Sequence, residues 1–103
     1  ISGLHELGPI RDTYLNEKLR LTDEEIVALS PLRLPGVAKP LAITYGTAEL
    51  PPLVADSRNL HDKRSAAHLP GALIPVPGAD HFTIVHELRD VDGILTKQAL
   101  LLV

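Results

Sequence analysis

The run Pro40-Leu41-Ala42-Ile43-Thr44-Tyr45-Gly46 limits what this chain can fold into. It is almost wholly apolar, includes β-branched and aromatic members, and is bounded by proline and glycine, the pattern of a strand covered on both faces. Such strands belong to parallel sheets, and a parallel partner has to be reached through a crossover. The next residues supply one. From about Pro52 to His68 the pattern turns helical, with proline suited to a first turn and Leu53, Ser57, Leu60 and Arg64 at helical spacing. That apolar stripe is thin, so the helix is expected against a sheet edge.

Ala72-Leu73-Ile74-Pro75-Val76 reads as a second strand, and its internal proline suits an edge, where one amide needs no ladder partner. Pro35-Gly36, Pro70-Gly71 and Pro77-Gly78 mark turns, because proline fixes one dihedral and glycine accepts the positive φ after it. Asp90 or Asp92 is expected to cap a helix from about Val91 to Leu102, with Val91, Ile94, Leu95, Ala99 and Leu102 facing inward. Upstream, Thr22 followed by Asp23, Glu24 and Glu25 predicts a capped helix to about Leu29, ended by Ser30-Pro31. The order strand, helix, strand, helix predicts an α/β fold with a parallel sheet and right-handed crossovers.

A chain of 103 residues supports one core. Ile1-Ser2-Gly3 resembles the tail of a third strand, so the chain is expected to be a portion of a larger sheet. The net charge of -3 and the scattered lysines and arginines argue against nucleic acid and anionic membrane as partners. No apolar run approaches the roughly eighteen residues of a membrane span. A cytoplasmic location is the expectation. With no cysteine there is no disulfide, thiolate nucleophile or Cys-ligated zinc.

In an open parallel sheet, the loops leaving the carboxyl ends of strands gather on one rim, where such folds place their sites. Two loops qualify. One carries Thr47, Ala48 and Glu49, the other Asp80 and His81. Adjacent strands lie about 4.8 Å apart, so Glu49 and His81 can meet. A carboxylate on Nδ1 of an imidazole fixes its tautomer and leaves Nε2 free to take a proton from a nucleophile and return it to a leaving group. His81 suits the base role because its unperturbed pKa lies near neutrality.

The order acid then histidine is the order that α/β-hydrolases adopt after their serine. Gly46-Thr47-Ala48-Glu49-Leu50-Pro51, then Asp56-Ser57-Arg58-Asn59-Leu60, then Leu73 to Phe82 through Gly78-Ala79-Asp80-His81, resemble the acid-bearing and histidine-bearing segments of that family's esterase and lipase branch, which includes the arylformamidases. Ile1-Ser2-Gly3-Leu4-His5-Glu6-Leu7, with Asn16-Glu17 and Leu29-Ser30-Pro31, is similar to the segment downstream of the nucleophile strand there. Residues 1–103 would then be the C-terminal portion of a single α/β-hydrolase domain.

The resemblance implies hydrolysis of a small carboxylic ester or an aryl formamide through an acyl-serine, with no metal or organic cofactor. It implies a serine in a Gly-x-Ser-x-Gly elbow and an oxyanion-hole segment, both ahead of Ile1. Partners would be the small substrate, the N-terminal part of the same domain and, as one assembly left open, a homodimer. Most relatives carry aspartate where this chain has Glu49; glutamate is accepted in this fold. Tyr14, Leu15 and Asn16 lie in the segment that borders the substrate cleft in relatives.

Each residue also has a plainer role open to it. His81 can be a loop histidine satisfied by water or by Asp80, and Glu49 a first-turn acid at the positive end of the next helix. Asp80 suits a turn. Tyr14, Leu15 and Asn16 can simply pack a loop, and Phe82 is expected as a core anchor. His61 and His68 lie about 10 Å apart along one helix, too far to share a metal ion, and are expected in solvent. A zinc cluster of His5, His81 and His86 has no recognisable spacing behind it. The rival function is a non-catalytic α/β binding module whose open sheet edge pairs with a partner chain.

Overall fold

A computed structural model describes residues 1–103. It is a small α/β domain with a parallel two-stranded sheet and flanking helices. Strand β1 (Ile43–Gly46) pairs in parallel with β2 (Leu73–Val76), Ile43 opposite Leu73 and Gly46 opposite Val76. The 16-residue helix joining them, Pro51–Ala66, is the crossover; we label it α3, after α1 (Asn16–Leu19) and α2 (Asp23–Leu29). A last helix, α4, spans Ile94–Leu100.

The local signals act as expected in several places. Thr22 accepts the Glu25 N–H while Glu25 accepts the Thr22 N–H, a closed capping box, and α2 ends at Ser30 before Pro31. Pro75 sits in β2, which has a neighbour on one side only. On α3 the inward row is half polar, as its thin stripe predicts, with Ser57 and Arg64 buried. Arg64 satisfies its buried guanidinium on the carbonyls of Val37, Lys39 and Pro70, so it fastens the loop before β1 to the turn before β2. A groove of about 340 Å³ lies between that loop and α3. The expected third strand at Ile1-Ser2-Gly3 does not form: the sheet has two strands, Ser2 takes φ +46°, outside the strand region, and the opening residues give β1 one backbone bond, from Ser2 N–H to the Thr44 carbonyl.

Two further expectations are corrected. Phe82 is not a core anchor: it is 81% exposed, whereas Ile84 is 1% exposed and joins Val76, Ala79 and Leu95 in the core. The cause is the Asp80 carboxylate, which accepts the N–H groups of Phe82 and Thr83 and winds a tight turn that aims Ile84, not Phe82, at the sheet. The last helix also starts later than its aspartates suggest. Asp90 is spent on the N–H of Asp92, and the first free N–H of α4, at Ile94, is taken by Glu87 from the preceding 3₁₀ turn. Only Ile94 and Leu95 of the expected inward set pack inward; Val91, Ala99 and Leu102 are exposed.

Candidate active site

The site is assembled where the two strands end. After β1 the chain turns through Thr47 and Ala48, closed by the Glu49 N–H on the Gly46 carbonyl. After β2 it turns through Pro77 and Gly78, whose φ of +71° belongs to the left-handed region that glycine occupies without strain. The two turns are stitched together. Thr47 N–H donates to Val76, Ala48 N–H donates to Ala79, and Gly78 N–H donates to the Thr47 hydroxyl at 2.8 Å. Gly46 permits this approach, because a Cβ there would meet the Ala79 carbonyl oxygen at 2.1 Å.

The stitched turns bring Glu49 and His81 together. Glu49 Oε1 lies 3.5 Å from His81 Nδ1, with the Glu49 side chain wholly buried and that of His81 52% exposed. Neither carboxylate oxygen of Glu49 has a hydrogen-bond donor in the chain. A buried carboxylate without donors is costly, and His81 Nδ1 is the ring nitrogen set beside it. Glu49 stands just ahead of α3 and accepts no hydrogen bond from the first N–H groups of that helix. Asp80 keeps to its turn, with its carboxyl held below the usual carboxylate range by the N–H of Thr83 and then that of Phe82.

His81 opens onto a cavity of about 480 Å³. Its walls are largely apolar, formed by Leu4, Pro9, Ile10, Leu15, Leu50 and Leu53, with Glu6, Thr13 and Asp56 as the polar members. Of the three residues named for the cleft, Leu15 lines it. Tyr14 points into solvent, and Asn16 uses its side-chain oxygen to accept the Leu21 N–H behind α1. His68 stands exposed at the end of α3 with φ +55°, and His61 is half-buried. No three His, Asp or Glu side chains are grouped to hold a metal ion.

Sequence patterns gave no role to Asp56 or Glu6, yet both shape the cavity. Asp56 Oδ2 accepts the N–H groups of His5 and Glu6, at 2.8 and 3.1 Å, across about fifty residues of chain. Glu6 pairs both carboxylate oxygens with the Arg33 guanidinium at 2.9 Å, which lowers its pKa, helped by the Gly8 N–H. Only the long-range partners reveal these functions. The one hint was that Asp56 opens the family-like run Asp56 to Leu60 and sits beside Ser57 on the inward row of α3.

An apolar cleft with a histidine backed by a buried acid at the ends of two parallel strands invites comparison with known hydrolases. The chain is similar to kynurenine formamidases. It is 28% identical to the kynurenine formamidase of Danio rerio over 106 residues, covering 97% of this chain and 36% of that protein. It is 31% identical to the kynurenine formamidase of Salmo salar over 107 residues, again covering 97% of this chain and 36% of that protein. The chain thus spans about a third of the length of these kynurenine formamidases. No protein-family model matches it, and no solved structure does.

Proposed function

We propose that the protein carrying this chain is a serine-type hydrolase of aryl formamides, with activity on small esters by the same route, in which His81 is the general base and Glu49 the acid that orients it. The observation behind this reading is the Glu49–His81 pair, a fully buried carboxylate 3.5 Å from Nδ1 of an imidazole that opens on an apolar cavity. The names of the two relatives support a formamide as substrate.

The chemistry is built on that geometry. A serine hydroxyl supplied from outside this chain adds to the formyl carbonyl while His81 Nε2 takes its proton. His81 then returns the proton to the leaving arylamine as the C–N bond breaks, giving a formyl-serine. Water attacks that ester by the same two proton transfers and releases formate. Glu49 keeps Nδ1 protonated and stabilises the imidazolium at each stage, a charge stabilisation strengthened by its exclusion from water.

The test is turnover of N-formyl-L-kynurenine and p-nitrophenyl acetate by the intact gene product, wild type against His81→Ala. Loss of about three orders of magnitude or more in kcat is expected for the variant. Undiminished turnover would remove His81 from the mechanism. The residues encoded ahead of Ile1 give a second check, since the reading requires a Gly-x-Ser-x-Gly elbow there.

A further inference from the structure

The cavity beside His81 holds a charge for which the hydrolytic steps have no use. Asp56 lines it from the interior of α3. Its Oδ2 is committed to the N–H groups of His5 and Glu6, while Oδ1 accepts no hydrogen bond from the chain and is not sealed from water. Two backbone donors on one oxygen fix the rotamer, so the other oxygen is held in place before any ligand arrives.

The other charges nearby do not cancel it. No lysine or arginine lines the cavity. Glu6 is already paired with Arg33 through both oxygens. His5 is near enough to feel Asp56, yet burial outweighs that attraction and lowers its pKa. Within this chain, Asp56 presents on that wall an oxygen with neither a hydrogen-bond donor nor a lysine or arginine beside it, set among leucines, where a low local dielectric strengthens its pull on a cation.

We infer that Asp56 is a specificity-determining residue that binds a protonated amine of the substrate, so that the protein prefers aryl formamides or esters bearing an ammonium group to uncharged ones of the same shape. This rests on the hydrolase reading above. The leucine walls suit an aryl ring with or without the amine.

The experiment compares N-formylkynuramine, which carries an ammonium group, with 2-formamidoacetophenone, which keeps the aryl ketone and lacks the amine, on the intact gene product. Wild type should favour the amine by about tenfold in kcat/KM, and added salt should erode that preference. Asp56→Asn retains an oxygen for the two backbone donors. It should raise KM for the amine and bring the kcat/KM values of the two substrates level. Equal kcat/KM values in wild type overturn the inference without recourse to any variant, as does an Asp56→Asn protein slowed equally on both. Turnover of neither substrate by a wild type that hydrolyses N-formyl-L-kynurenine or p-nitrophenyl acetate overturns this inference alone; turnover of none of the four overturns the hydrolase reading with it.

Discussion

Glu49 Oε1 stands 3.5 Å from His81 Nδ1, the carboxylate shut away from water and the imidazole half in it. That asymmetry makes the roles separable. Glu49→Gln keeps the shape and removes the charge, so the imidazolium loses its partner. In the intact gene product kcat should fall by about two to four orders of magnitude. The melting temperature should hold or rise, because a neutral amide is easier to bury than an unbonded carboxylate. Kinetics and a thermal melt on the same preparation check both halves.

Gly46 bears the weight of the stitched turns. Gly46→Ala drives a methyl group into the Ala79 carbonyl, 2.1 Å from where its Cβ must sit. The backbone has to part, at a cost of about 1–3 kcal/mol by urea denaturation. Activity should fall with it, as the two loops carrying Glu49 and His81 separate.

Ile84 and Phe82 should differ in the direction opposite to their sizes. Ile84→Ala empties a position that is 1% exposed and should cost about 2–5 kcal/mol. Phe82→Ala removes a ring that is 81% exposed and should stay within about 0.5 kcal/mol. Paired denaturation curves decide it.

Asp80 sets an acid dependence. Its folded pKa is depressed by the Thr83 and Phe82 N–H groups, so its stabilising contribution is complete above the unfolded value, about 3.9, and is lost as pH falls through the lower folded value. Wild type should melt higher than Asp80→Asn at about pH 6, and the two should converge at about pH 2. A gap that persists in acid would assign the turn to something other than this charge.

The alternation of elements was legible because each boundary is written locally, in Pro40, Gly46, Pro70-Gly71 and the Thr22–Glu25 box. So was the pairing of Glu49 with His81, since parallel strands carry both loops to one rim. The features that stayed hidden depend on groups distant in sequence or on turn geometry. Glu87 overrides Asp90 and Asp92 at the start of α4, and Asp80 turns Phe82 outward. Asp56 acts on the backbone of His5 and Glu6, about fifty residues away, which no local pattern around it encodes.

The cross-links between the turn after Gly46 and the turn after Val76 leave Glu49 and His81 in a shared rigid frame. Mild denaturant or moderate heat therefore has no gradual way to lengthen the gap between them. Their alignment is lost in the same cooperative step that unzips β1 from β2, so an inactivation curve should overlay the unfolding curve.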